Sequence, residues 1–147
     1  MDFSDPYLKA EYYLVVDAKT ENVAGCADLE GKSVGALSGS MGLAAIENNR
    51  DKFNLTVVPY DDFGDYVVDL HLGELGAFVS ELILVSNLNR SAEFRDSFKT
   101  VGTPVATEYF GIAVRKCDSK TLALINGGLR KFIASGKSKV LEQRWLK

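Results

Sequence analysis

The 147 residues are 46% hydrophobic and 25% charged, the profile of one ordinary globular domain, and this excludes a disordered or fibrous chain. A formal net charge of −3, with lysines and arginines scattered rather than gathered, argues against nucleic acid as a partner. Cys26 and Cys117 stand at metal-ligand spacing neither from each other nor from the lone His71, so no metal, cofactor or thiol chemistry is expected, and no apolar run reaches the length of a membrane span.

Phe3-Ser4-Asp5-Pro6-Tyr7 is turn-like, because Pro6 fixes its own φ and pushes Asp5 toward extended geometry. The start has neither the basic head nor the apolar middle of a secretion signal, and the chain as given is expected not to be exported by itself. Tyr12 to Val16, aromatic and β-branched, reads as a buried strand. Val23 to Leu29 suits a short helical turn ended by Gly31, and Ser33 to Leu37 a second strand. A short helix from Ser40 to about Asn49, a strand over Leu55 to Tyr60 and a helix with Phe63, Tyr66, Val67 and Leu70 on one stripe follow. Pro59, near the end of its strand, argues for an edge or a terminating position, and Asp61 or Asp62 caps the next helix.

Ala77 to Val79 reads as a buried strand stopped by Ser80-Glu81, then Leu82 to Leu88 as an apolar helix. Phe98 to Val101 and Tyr109 to Val114 read as two strands joined across Gly102-Thr103-Pro104. Asp118 or Ser119 caps a helix bearing Leu122, Ile125, Leu129, Phe132 and Ile133, closed by Gly136; a last helix carries Val140, Leu141 and Trp145 among Lys137, Lys139, Arg144 and Lys147. The alternation of strand and helix predicts an α/β fold, a mostly parallel twisted sheet flanked by helices, with a C-terminal helical tail.

Chemistry concentrates at Ser38-Gly39-Ser40-Met41, where a strand breaks into hydroxyls and glycine before a helix. Hydroxyl and N–H donors at such a point suit an anion, and ligands on such sheets sit at the carboxyl ends of strands. The competing reading makes Ser40 only an N-cap and the glycines only turn formers. Gly35, Gly39 and Gly42 lack the spacing of a nucleotide loop. Asp61 and Asp62 read as caps and His71 as a solvated residue; one histidine leaves little for acid and base work.

The ordered set Phe3-Ser4-Asp5-Pro6-Tyr7, Ala27-Asp28-Leu29-Glu30-Gly31-Lys32, Val34-Gly35, Ser38-Gly39-Ser40, Phe110 to Lys116 and the Trp145 helix resembles the bacterial extracellular solute-binding proteins of the polar amino-acid type, receptors of ABC uptake systems. The resemblance implies a periplasmic-binding-protein-like (type II) clamp with amino acid held between two lobes. It makes Ser4, Asp5, Pro6 and Tyr7 the first hinge crossing, residues 1–107 a second-lobe-like unit, and residues 108–147 a strand and two helices derived from the first lobe. It also implies that the front of the first lobe is absent, and with it the arginine that grips the ligand carboxylate. Ser38, Gly39, Ser40 and Met41 match the turn that meets that carboxylate, and Glu81 stands where the family carries an acid for the ammonium; a first-turn acid favoured by the following helix is the other reading of Glu81.

The function this implies is a non-enzymatic module recognising a small amino acid or similar zwitterion, truncated and weak or altered in binding. An oligomerising or regulatory protein with a relic ligand turn, and a dehydratase-like enzyme using Glu81, are the alternatives. Leu122, Ile125, Leu129, Phe132 and Trp145 require an apolar cover, either the chain's own sheet or a second copy exchanged through Glu108 to Lys147, so a homo-oligomer is expected. An ABC permease is a partner only where a complete first lobe exists.

Overall fold

A computed structural model describes residues 1–145, which divide into two units: Glu11–Thr107, and Met1–Ala10 together with the C-terminal part from Glu108. In chain order the elements are β1 (Asp2–Phe3), β2 (Leu8–Asp17), a 3₁₀ turn (Cys26–Leu29), β3 (Ser33–Leu37), α1 (Met41–Glu47), α2 (Arg50–Phe53) and β4 (Thr56–Tyr60). Then come α3 (Phe63–Leu72), β5 (Ala77–Glu81), α4 (Leu82–Arg90), β6 (Phe98–Phe110), β7 (Ala113–Val114), α5 (Ser119–Ala134) and α6 (Lys137–Trp145).

The larger unit is built on a five-stranded sheet in the order β4-β3-β5-β2-β6. β3 runs parallel to both β4 and β5, as helical crossovers require, whereas β2 runs antiparallel to β5. Pro59 does lie on an edge strand, where a missing N–H costs no ladder bond. Both faces of the sheet are covered, so the central strands are buried on consecutive residues. Leu14 and Val16 of β2 and Ala77 and Val79 of β5 join Ile46 and Leu55 on one face. Val15 and Phe78 point the other way, into Tyr66, Val67 and Leu70 of α3 and Val85 of α4.

Three boundaries differ from the sequence expectation. β5 does not stop at Val79 but continues through Ser80 and Glu81, because β2 pairs with it as far as Tyr12 opposite Glu81. The region 98–110 is one strand, not two joined at Gly102-Thr103-Pro104. The second expected strand, Tyr109 to Val114, is interrupted: Ser4 takes the backbone of Ile112 through its own N–H (3.0 Å) and its Oγ (2.8 Å), leaving only β7 beyond. A further short helix, α2, follows Asn49 and is closed by Asn54 in the left-handed region at φ 51°.

In the smaller unit β1 pairs antiparallel with β7, and α5 and α6 follow. Asp118, not Ser119, is the cap of α5: its carboxylate accepts from the Thr121 N–H at 3.1 Å. Replacing it with alanine is expected to lower the stability of this unit by about 1 kcal/mol, read by thermal melting of the helical circular dichroism signal. No residue of α5 is fully buried; Leu122, Ile125, Leu129 and Phe132 are half-buried and Leu124 is 78% exposed. The expectation for the Trp145 side chain, and for Lys147, lies outside the described residues.

Candidate functional site

β3, β4 and β5 end side by side. Because Leu37 is level with Tyr60 and Ala36 with Val79, the Ser38 turn leaves the sheet between Asp61 on one side and Glu81 on the other. The turn is tethered rather than loose: the Ser38 N–H donates to the Tyr60 carbonyl at 2.7 Å and the Ser40 N–H to the Leu37 carbonyl at 3.1 Å. Gly39 takes φ 73°, a left-handed geometry that a side chain would resist.

Ser40 is the N-cap of α1, its Oγ accepting from the Leu43 N–H at 3.0 Å. That uses one lone pair and leaves the hydroxyl proton to be donated. Met41 and Gly42 belong to the first helical turn, whose N–H groups have no acceptor inside the helix. α1 has only 7 residues, so its dipole is short and local donors dominate. Gly42 sets how closely the turn sits on the sheet: a Cβ there would come within 2.7 Å of Val79 Cγ1 and 3.1 Å of Tyr12 Cδ1.

Glu81 is half-buried at the end of β5, with its Oε1 accepting from the Tyr12 hydroxyl at 3.0 Å. It occupies the N-cap position of α4 without making a side-chain cap bond there. The carboxylate is therefore aimed by Tyr12, across the antiparallel pair, rather than turned back on its own helix. Behind it Ser80 is 3% exposed and its Oγ accepts from the Tyr66 hydroxyl at 3.5 Å. Burial first, and then the charges of Glu81 and Asp62 against the opposing Ser80 bond, push the Tyr66 hydroxyl pKa up.

The structure thus brings Ser38, Gly39, Ser40 and Met41 together with Glu81 on neighbouring strand ends. Ser4, Asp5, Pro6 and Tyr7 lie in the other unit. There the Tyr7 N–H donates to the Phe110 carbonyl at 3.0 Å, and Asp5 is held by Asn126 and by Arg130 Nη1 at 2.9 Å. Asp62 caps α3 through the Gly64 N–H at 2.7 Å, and Asp61 is exposed. His71 is exposed, as expected, and stands edge-on to Phe94.

Sequence reasoning missed Tyr12 and Ser80 as parts of this site. Strand periodicity marked Tyr12 as core, and only the pairing of β2 with β5 turns its hydroxyl toward Glu81. Tyr60 pairs with Asp69 at 2.6 Å, and burial, that bond and the nearby charges of Asp69, Asp65 and Glu74 push its pKa up to about 12. Burial also raises the Cys26 thiol, against its own backbone hydrogen bond and Lys52. Among the described residues no group of histidine, cysteine and carboxylate side chains is placed to hold a metal, and no helix is long and apolar enough to cross a membrane.

This architecture is that of the type II periplasmic binding proteins, and the chain's homologues are amino-acid-binding proteins of ABC uptake systems. A probable histidine-binding protein of Neisseria gonorrhoeae is 31% identical over 140 residues, 93% of this chain and 51% of the relative. An ancestral arginine-binding protein bound to arginine superposes with a TM-score of 0.82 at 28% identity, over 99% of this chain and 64% of that one. The extracellular-binding protein of a probable amino-acid ABC transporter from Bacillus subtilis superposes with a TM-score of 0.90 over 99% of this chain and 63% of that one; at 21% identity it speaks for the fold alone. No protein-family model matches the chain. The chain spans about half the length of the curated relatives it matches.

Proposed function

We propose that the unit Glu11–Thr107 is a solute-binding lobe whose Ser38-Gly39-Ser40-Met41 turn receives the α-carboxylate of an amino acid and whose Glu81 receives its α-ammonium. The observation that supports this best is the juxtaposition itself: donors at the end of β3 stand level with a carboxylate at the end of parallel β5, held by Tyr12 at 3.0 Å. Hydroxyl and N–H donors one strand away from a carboxylate suit the two ends of a zwitterion, and the relatives named above are binding proteins for amino acids. The segments holding Ser4 to Tyr7 and Glu108 onward correspond, on this reading, to hinge crossings and part of the first lobe. One lobe leaves much of a ligand wet, so affinity is weak, and work with an ABC permease requires the opposing jaw.

Amide NMR titration with a panel of L-amino acids at millimolar concentration tests it. Shifts are expected at Tyr12, Ser38 to Met41 and Glu81. Glu81→Gln is expected to weaken binding about tenfold or more by removing a charge-assisted bond, with the fold intact. A folded protein with no shift at these residues for any amino acid would refute the reading.

Self-association through Glu108 to Lys147 is a second reading, favoured by Tyr109 at 65% and Leu124 at 78% exposure. Light scattering after size exclusion decides it, a strict monomer at micromolar concentration counting against it.

A further inference from the structure

We propose that Tyr12 is the positioning residue of this site: acting through Glu81 rather than on the ligand, its hydroxyl sets how strongly the lobe distinguishes an amino acid from the same acid lacking its α-amine. This rests on the reading of Glu81 as the acceptor of the α-ammonium.

The placement follows from the register of β2 against β5. Tyr12 and Glu81 are Cα partners on antiparallel strands, so their side chains leave the sheet on the same face. Val79, two residues before Glu81, shares that face, and the start of α1 packs down on it at Gly42. The Tyr12 ring reaches both parts of the site: its Cδ1 is 3.1 Å from where a Gly42 Cβ would stand, and its hydroxyl donates to Glu81 Oε1 at 3.0 Å. One side chain, 6% exposed and fixed by the core it belongs to, therefore spans from the start of α1 to the carboxylate.

Packing alone does not ask for the hydroxyl, since Leu14 and Val16, further along the same face of β2, fill the same cluster with aliphatic side chains. What the hydroxyl adds is a direction for Glu81. A glutamate has several side-chain torsions, and one held loosely is ordered only when the ligand arrives, which weakens binding. It also has a competing partner at hand. Glu81 is the N-cap residue of α4, whose first N–H groups, those of Ile83 and Leu84 among them, lack acceptors within the helix and favour a carboxylate. Yet Glu81 makes no side-chain cap bond, and the first turn of α4 holds no acid of its own. Tyr12 keeps the carboxylate off that helix and out at the end of the sheet. A carboxylate oxygen has more than one lone pair, so the bond from Tyr12 leaves acceptors for an ammonium.

The experiment compares the full chain with its Tyr12→Phe variant by amide NMR titration, using L-glutamine, L-arginine and L-leucine and the three matching acids that lack the α-amine. Tyr12→Phe keeps the ring beside Gly42 and Val79, so the fold is expected to be retained. The unaltered chain is expected to bind each amino acid about tenfold more tightly than its amine-free counterpart, and Tyr12→Phe to cut that margin to about twofold by weakening the amino acids alone. In a Glu81→Gln background the same substitution is expected to change amino-acid affinity by less than about twofold, because the two residues act as one unit. Without ligand, the Ile83 and Leu84 amide resonances are expected to move in Tyr12→Phe as Glu81 turns onto α4. An undiminished margin in Tyr12→Phe, or an equal loss for both kinds of acid, overturns the positioning role and leaves the amino-acid reading standing. An unaltered chain that binds both kinds equally, or neither, overturns the reading of Glu81 and the role of Tyr12 with it.

Discussion

Tyr66→Ala is expected to cost about 3 to 5 kcal/mol, the range for emptying a buried aromatic site, and so to bring a domain of ordinary stability close to its unfolding threshold. Tyr66 is 1% exposed and its ring is the hub of an aromatic cluster, 5.0 Å from Phe78, 5.2 Å from Phe63 and 5.7 Å from Tyr60 between centroids. The contacts with Phe63 and Tyr60 are edge-on, the geometry in which rings attract beyond their buried area. Urea unfolding followed by tyrosine fluorescence and circular dichroism measures the loss. Tyr66→Phe separates the ring from the hydroxyl: the long bond to Ser80 is expected to contribute about 1 kcal/mol or less. A Tyr66→Ala cost below about 1 kcal/mol would mean that the cluster is not the core of this face. The prediction reaches the candidate site too, because Ser80 and Glu81 are consecutive on β5, with Tyr66 behind the first and Tyr12 in front of the second.

The hydrophobic period made α3 legible: Phe63, Tyr66, Val67 and Leu70 at three- and four-residue spacings are the residues that pack toward Phe78 and Val15. Strand β3 was equally plain, since Val34 to Ala36 is a buried run bounded by Lys32 and the Ser38 turn. The turn itself could be read because glycine and serine announce a special backbone, and Gly39 has one. Sequence could not supply the neighbours. That β5 runs on through Ser80 and Glu81, instead of stopping at Val79, depends on Tyr12 lying opposite Glu81 from 69 residues earlier. The antiparallel direction of β2 has the same origin, for nothing in Tyr12 to Val16 states which strand it will join or in which sense. Burial of Gly42 was hidden for a related reason: its close approach is to Val79 and Tyr12, so its function in packing exists only once three elements have met.

Gly102→Ala is expected to cost about 2 to 6 kcal/mol, combining a left-handed backbone worth about 1 to 3 with an overpacking cost of about 1 to 3. The sequence Gly102-Thr103-Pro104 has the composition of a loop, yet β6 runs through it without a break. Two facts reconcile these. β6 is at the sheet edge, so the missing N–H of Pro104 need not interrupt a ladder. Gly102 has φ 72°, and a Cβ built on it would lie 2.7 Å from the carbonyl oxygen of Ala24. That neighbour is backbone, which cannot rotate aside as a side chain would, so the strand or the Val23 to Gly25 segment has to move. Glycine is used here because two stretches of main chain touch, not because the chain turns. Gly25→Ala is the control from the same contact region: its φ of 176° is ordinary extended geometry and an added Cβ meets nothing within 4 Å, so a change within about 0.5 kcal/mol is expected. Chemical unfolding of the two variants side by side checks the pair, and equal stabilities would show that the Gly102 to Ala24 approach does not constrain the fold.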